Sequence, residues 1–147
     1  MTAILNDEYF MRQALNEAKT AFDRDEVPVG AVVVCQERII ARSHNLTEML
    51  TDVTAHAEMQ SITAASNVLG GKYLNDCTLY VTLEPCPMCA GALLWSQIAK
   101  IVYGASDEKR GFTMYSPGIL HPKTRVVSGV LSEECSALMT DFFKRNR

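Results

Sequence analysis

Two short motifs constrain how this 147-residue chain can fold. Residues His56-Ala57-Glu58 spell H-x-E, and after a spacer of 26 residues Pro85-Cys86-Pro87-Met88-Cys89 spells P-C-x-x-C. One histidine and two cysteines are ligands that suit zinc. If His56, Cys86 and Cys89 hold one ion, the fold must bring the two motifs together from distant parts of the chain.

Three protein ligands leave the fourth position of a tetrahedral zinc free for water, which is typical of catalytic sites. Zinc lowers the pKa of such a water from about 16 towards about 7, so that hydroxide is available at neutral pH. Glu58 lies two residues from His56. It is therefore the candidate base that accepts the water proton and passes it to a ring nitrogen or a leaving amine.

Other interpretations of these residues stay open at this point. A C-x-x-C pair is also found in structural zinc knuckles and in redox pairs. His44 and His121 are the other two histidines, and a fourth ligand from either would close the site and make it structural. The remaining cysteines lie in apolar segments and are interpreted as small buried thiols; they are Cys35, Cys77 and Cys135.

The order of apolar and polar residues predicts helices that alternate with strands. Helices are predicted to begin at Asn6 or Asp7, at Thr54, at Pro87 and at Ser132. Strands are predicted over 30–34, 38–42, 78–83, 100–104 and 125–127, and residues 107–123 form a long loop with one helical turn. Strands separated by helices indicate an α/β sandwich, and the hairpin around Gln36-Glu37 makes its sheet mixed.

In this arrangement both metal motifs lie at helix N-termini. These positions carry partial positive charge and free N–H groups, which lower the pKa of a thiol. Cys86 and Cys89 are therefore expected to bind as thiolates from one face of a helix, with His56 from a neighbouring helix.

Composition limits the broad class of protein. No apolar run approaches the roughly 20 residues that span a membrane, and the acidic N-terminus does not look like a secretory signal. We therefore expect a single domain over residues 1–147. The expected location of the protein is the cytoplasm. The formal net charge of −3 is not typical of a nucleic-acid binder, but local basic patches can still bind. The candidate patches are 109–110, 123–125 and 144–147.

The two motifs resemble the signature of the zinc-dependent cytidine deaminase-like superfamily. Further segments are similar to the bacterial tRNA adenosine deaminases within it. These segments are E-V-P-V-G-A-V at 26–32, H-N at 44–45, T-A-H-A-E at 54–58, L-Y-V-T-L-E-P-C-P-M-C-A-G-A at 79–92, and parts of 129–143. The resemblance covers nearly the whole chain.

The resemblance implies a three-layer α/β/α sandwich around a five-stranded mixed sheet. It implies hydrolysis of adenosine to inosine at the wobble position of a tRNA anticodon loop, by a homodimer with one Zn²⁺ per subunit. In this family pattern His56, Cys86 and Cys89 hold the zinc, zinc-bound hydroxide is the nucleophile, and Glu58 is the proton shuttle.

The same resemblance implies the contacts with substrate. Asn45 would hydrogen-bond the flipped base, Val29 and Leu83 would pack against it, and the N–H groups of Ala57 and Cys86 would orient base and water. The residues expected to meet the surrounding RNA are Asp107, Lys109, Phe143 and the basic residues after Phe143.

Two other functions remain as alternatives. Relatives with nearly the same metal motif deaminate free guanine, cytosine or other small bases, and a catalytically inactive zinc module could bind RNA. A tRNA enzyme is expected to have an open groove lined by Lys109, Arg110, Phe143 and Arg145, whereas a free-base enzyme should close over its ligand with the C-terminal helix. Family members commonly carry Asn-His before the last strand, where this chain reads Leu120-His121-Pro122-Lys123.

Overall fold

The computed structural model describes residues 5–146. Within this range five helices and five strands alternate as the sequence predicts. Their bounds are α1 Asp7–Asp23, β1 Gly30–Cys35, β2 Arg38–His44, α2 Ala57–Leu69, β3 Cys77–Leu83, α3 Pro87–Ser96, β4 Lys100–Ala105, α4 Phe112–Tyr115, β5 Arg125–Ser128 and α5 Ser132–Arg145. None of the described helices is long and apolar enough to cross a membrane.

The five strands form one mixed sheet in the order β2-β1-β3-β4-β5. β1 is antiparallel to both β2 and β3, whereas β3, β4 and β5 run parallel. The hairpin between β1 and β2 turns at Gln36 and Glu37, which have φ angles of 52° and 64°. Two successive positive φ angles match the right-handed twist of the strands, so the turn is made although neither residue type favours that conformation.

Helices cover both faces of the sheet, which confirms the three-layer α/β/α sandwich. Ala31 and Val33 of β1 pack into one buried cluster with residues of α2 and α3. Val32 and Val34 point to the other face and pack with residues of α1 and α5. This alternation follows from the two-residue repeat of a strand that is buried on both faces.

The predicted start of the second helix at Thr54 is wrong. The backbone N–H and the hydroxyl of Thr54 both donate to the carboxylate of Asp52, at 2.8 and 2.7 Å. Thr54 therefore belongs to a turn, and α2 begins two residues after Ala55, with His56 in the N-cap position. By contrast, Asn6 caps α1 as predicted, since its side chain accepts from the N–H of Tyr9 at 2.9 Å.

The predicted cap of the last helix is also wrong by one residue. The N-cap position of α5 is occupied by Leu131 in a left-handed conformation, with φ of 56°, and Ser132 is the first helical residue. No side chain caps this helix. The chain reaches α5 through Gly129, whose φ is 85°, so the backbone turns sharply where the sequence indicated a simple Ser cap.

Strand directions bring several chain segments to one edge of the sheet. β2 and β3 both run antiparallel to β1, so their carboxyl ends lie beside the amino end of β1. Val29 enters β1 there, Asn45 follows β2, and Leu83 ends β3. The loops that lead into α2 and α3 start at the same edge, as is usual for binding sites in α/β sheets.

The close packing of α1 against Gly30 leads to a prediction about stability. A Cβ at this position would meet backbone atoms of Ala14 and Ala18 in α1, so the helix could not stay where it packs on β1. Gly30→Ala is expected to lower the free energy of unfolding by about 1–3 kcal/mol, because backbone cannot rotate away from the overlap. Urea denaturation measures the change.

Gly71→Ala is the control for this substitution, because nothing lies within 4 Å of its added Cβ. Its unfolding midpoint should stay close to that of the unmodified protein. A Gly30→Ala protein with the same midpoint would contradict the close approach of α1 and β1.

Candidate active site

The structure brings His56, Cys86 and Cys89 together as the sequence predicts. His56 Nδ1 lies 3.7 Å from Cys86 Sγ and 3.5 Å from Cys89 Sγ. All three ligand atoms lie within 4.8 Å of one another. In a tetrahedral site with Zn–S near 2.3 Å and Zn–N near 2.0–2.1 Å, nitrogen and sulfur ligands are about 3.6 Å apart. The three side chains therefore fit a single metal ion.

Among the described residues, this group of possible metal ligands has three members, and no other histidine, cysteine or carboxylate belongs to it. His44 Nδ1 lies 3.3 Å from the carboxylate of Glu17, and His121 Nδ1 accepts from the N–H of Lys123 at 3.1 Å. Both spare histidines are therefore engaged elsewhere. A metal in this set would keep one coordination position for a ligand from solution.

Both ligand segments occupy helix N-caps. His56 is the N-cap of α2 and Cys86 is the N-cap of α3, and neither side chain makes a capping hydrogen bond. Their side chains are directed at each other instead. Pro87 is the first residue of α3, where the absence of an N–H costs nothing. The predicted placement at helix N-termini is confirmed.

The two thiols shift each other's pKa in opposite directions. Hydrogen bonds lower the pKa of Cys86 to about 4, the bond from Cys89 having the larger effect and the bond from His56 the smaller. The bond to Cys86 raises the pKa of Cys89, as do burial and the nearby carboxyl of Glu58. Adjacent thiols resist a double negative charge, so they hold one proton between them. A divalent cation stabilises the deprotonated form of such ligands.

Glu58 is the second residue of α2 and only 4% exposed. Burial raises the pKa of its carboxyl to about 7, although a bond from its own backbone N–H and the charge of His56 lower it. The carboxyl also hydrogen-bonds Cys89. A carboxyl that titrates near neutral pH can both accept and return a proton.

A cavity of about 780 Å³ opens beside these residues at the sheet edge. Its lining includes most of the residues singled out in the sequence. They are His56, Glu58 and Cys86 from the metal motifs, and Val29, Asn45, Leu83, Asp107, Lys109 and Phe143 from the expected substrate contacts. Ala57 and Cys89 lie behind the wall and are fully buried.

Asn45 takes the capping role that His56 leaves unfilled. Its side-chain oxygen accepts from the N–H of Ala57, the first residue of α2, at 2.8 Å. The amide of Ala57 is thus already bonded, so it would orient a base only through Asn45. Because the oxygen of the Asn45 carboxamide is used, its N–H₂ group is the part left to donate into the cavity.

Two buried carboxylates near the cavity were not recognised from the sequence as parts of the site. Glu26 accepts from the hydroxyl of Thr47 at 3.4 Å and from the N–H groups of Glu48 and Met49 at 3.0 and 2.8 Å. It thereby holds the loop after β2. Glu84 holds a second loop in the same way. The available signal was an acid one or two residues before a proline within an apolar run, in E-V-P and L-E-P.

The C-terminal helix contributes less basic charge to the cavity than expected. Phe143 lines the cavity with an exposed ring. The guanidinium of Arg145 instead donates to the carbonyl of Phe22 at 2.9 Å and to the carboxylate of Asp25 at 2.8 Å. The expectation that Arg145 lines the groove is wrong, and the basic lining comes from Lys109 and Arg110.

Comparison with known proteins identifies the family. The family model of the MafB19-like deaminases matches residues 5–147. The tRNA-specific adenosine deaminase of Bacillus subtilis is 47% identical over 146 residues, covering 96% of this chain and 91% of the relative. The chain belongs to the tRNA-specific adenosine deaminase family. It is therefore a hydrolytic deaminase, as the resemblance implied.

Two solved structures place this deaminase among its relatives. One, from studies of A-to-I editing by tRNA:A34 deaminases at the wobble position of transfer RNA, is 45% identical with a TM-score of 0.83, covering 88% of this chain and 98% of that structure. The other is a guanine deaminase from Bacillus subtilis, 40% identical with a TM-score of 0.66, covering 69% of this chain and 65% of that structure.

Replacement of Cys89 tests the metal centre of the deaminase. Cys89→Ala is expected to reduce metal content from one ion per chain to nearly none, measured by mass spectrometry of the elements. The melting temperature should fall by at least about 5 °C, since a ligand at 100 times its Kd stabilises a fold by about 2.7 kcal/mol.

The matched control is Cys35→Ala, which removes a partly buried thiol at the end of β1. It should leave the metal content unchanged. Full metal content in the Cys89→Ala protein would show that the ion binds elsewhere.

Proposed function

We propose that this deaminase hydrolyses adenosine to inosine at the wobble position of a tRNA anticodon. One Zn²⁺ would be held by His56, Cys86 and Cys89. The observation that carries the proposal is this three-ligand group beside the buried carboxyl of Glu58, at a cavity, in a chain 47% identical to a tRNA-specific adenosine deaminase.

The reaction replaces the 6-amino group of adenine with the oxygen of water and releases ammonia. Zinc, when bound, supplies Lewis acidity that lowers the pKa of a water to about 7. Glu58 would accept one proton of a water molecule and deliver it to ring nitrogen N1 of adenine. It would then carry the second proton of the same water to the amino group, which leaves as ammonia while the water oxygen stays on C6.

The walls of the cavity suit a flipped purine. Val29 and Leu83 contribute apolar surface to the lining. The free N–H₂ of Asn45 can donate to a ring nitrogen of the base, because its oxygen is occupied by Ala57. An extruded base is recognised in this way, by packing and by a few directed hydrogen bonds.

Lys109, Arg110 and Phe143 around the cavity support a polynucleotide substrate. Asp107 accepts from the N–H groups of Lys109 and Arg110 at 3.1 and 3.0 Å, which orders the two basic residues. Their charges can bind phosphates, and stacking of a base on Phe143 would contribute about 1–3 kcal/mol. These local features offset the net charge of −3.

A free-base deaminase is the second candidate, favoured by the 40% identity with a guanine deaminase. An anticodon stem-loop with adenosine at the wobble position should be assayed beside free guanine, cytosine and cytidine, with ammonia release as the readout. Turnover of the stem-loop is expected. Turnover of a free base alone would overturn the proposal.

Glu58→Gln tests the proton shuttle. The amide keeps the volume of the side chain but cannot accept a proton, so deamination should fall by about 10²–10⁴-fold. Metal content should be retained, because Glu58 is not a ligand in the three-residue group. Single-turnover assays on the stem-loop measure the rate, and undiminished turnover would remove Glu58 from this role.

We also propose that the deaminase is a homodimer. Met88 and Trp95 lie seven residues apart on one face of α3, and the Trp95 side chain is 80% exposed. Met114 and Tyr115 of the adjoining α4 are exposed as well. Exposed apolar clusters of this kind are typical of protein interfaces. A second copy of the chain would cover this face.

Trp95→Glu is expected to convert the dimer to a monomer, because a charge in an apolar interface is costly to bury. Light scattering after size exclusion measures the molar mass. Tyr9→Glu is the control, since Tyr9 lies on α1 at the opposite face of the sheet. A dimer that survives Trp95→Glu would place the interface elsewhere.

A further inference from the structure

The segment 106–113, here called the rim loop, borders the cavity with Asp107, Glu108, Lys109 and Arg110. We infer that Glu84 is a positioning residue that fixes the rim loop relative to the metal ligands, and through it the nucleotides that flank the target base. This role of Glu84 in binding rests on the proposed function. Its effect on the loop itself does not.

Both oxygens of the Glu84 carboxylate accept hydrogen bonds from the rim loop. Oε1 accepts from the N–H of Asp107 at 3.1 Å. Oε2 accepts from the N–H of Thr113 at 3.0 Å and from its hydroxyl at 2.7 Å. The three bonds therefore clamp the loop close to its two ends. All three of these hydrogen bonds come from the rim loop, so the role assigned to Glu84, which also lines the cavity, is to position that loop.

The charge of Glu84 has no basic partner among the ion pairs of the described residues. The side chain is only 4% exposed. A buried carboxylate is stable only when donors satisfy it, so its burial and the closed form of the loop depend on each other. Opening of the loop would leave the charge without these donors.

The loop is fitted closely to this carboxylate. A Cβ on Gly111 would overlap the Glu84 carboxylate, so only glycine allows the backbone to pass there. The N–H of Phe112 donates to the carbonyl of Pro85 at 2.9 Å. Pro85 directly precedes Cys86, so one short stretch of chain carries a metal ligand and anchors the rim loop.

The effect of Glu84 reaches the basic residues Lys109 and Arg110 through Asp107. Glu84 fixes the backbone of Asp107, whose carboxylate accepts from the N–H groups of Lys109 and Arg110. The carbonyl of Lys109 accepts from the hydroxyl of Tyr115 at 2.8 Å. A released loop would present its basic side chains in the binding arrangement for only a fraction of the time. The apparent affinity for RNA falls by that fraction, while chemistry in the bound complex is unaffected.

Glu84→Gln is the decisive substitution. Glutamine has the same shape, but its N–H₂ cannot accept, so either the N–H of Asp107 or that of Thr113 loses its acceptor. The KM for the anticodon stem-loop is expected to rise about ten-fold, with kcat within about two-fold of the unmodified enzyme. Metal content should not change.

Asp7→Asn is the matched control. The carboxylate of Asp7 also accepts three hydrogen bonds, from the Tyr80 hydroxyl and from Lys100, but on the opposite face of the sheet. Its KM should be unchanged, whatever the loss of stability. Thr113→Val, which removes one donor, should raise KM less than Glu84→Gln, and Thr113→Ser should restore it.

Amide hydrogen exchange gives a readout that needs no substrate. In the Glu84→Gln protein the amides of Asp107 and Thr113 should exchange faster, while Ala90 in α3 stays protected. Unchanged exchange at both amides would overturn the anchor, and so would a loss of kcat and metal at constant KM. If the unmodified enzyme deaminated only free bases, the proposed function would fail, and the exchange result would still decide the anchor.

Discussion

The three ligand atoms of the metal site meet because α2 and α3 both begin at one edge of the sheet. This depends on β1, the antiparallel strand between β2 and β3, which puts the exits of its two neighbours on the same side. His56 and Cys86 are each the last residue before a helix. The cavity, Glu58 and both anchored loops are arranged around that meeting point.

Three buried glutamates near this point show how partners determine what a carboxyl does. Glu26 and Glu84 each accept three hydrogen bonds from loop donors and act as fixed anchors. Glu58 is equally buried, and burial raises its pKa to about 7 although its own backbone N–H and Cys89 hydrogen-bond the carboxyl. The same side chain is therefore an anchor where loop donors surround it, and the proposed proton carrier where burial raises its pKa.

Local signals predicted the fold well, and the three candidate metal ligands lie together as the motifs indicated. Pro87 at a helix start, the apolar strands and the motif spacing all depend on residues close in sequence. The errors arose where a distant or competing partner decided the structure. Thr54 hydrogen-bonds Asp52 instead of capping α2. Arg145 hydrogen-bonds Asp25, which lies 120 residues away in sequence, instead of lining the cavity. The anchors at Glu26 and Glu84 join segments more than 20 residues apart, which no local pattern encodes.

Asn45 links the start of α2 to the pocket, and this affects how base preference can change in evolution or design. Its oxygen caps α2, whose own N-cap residue, His56, is directed at the two cysteines instead. A new side chain at this position would change the lining of the cavity and remove the cap of α2 at once. Val29 and Leu83 line the same cavity, and their side chains do not cap a helix. Substitutions at these two positions can therefore change base preference without loosening α2.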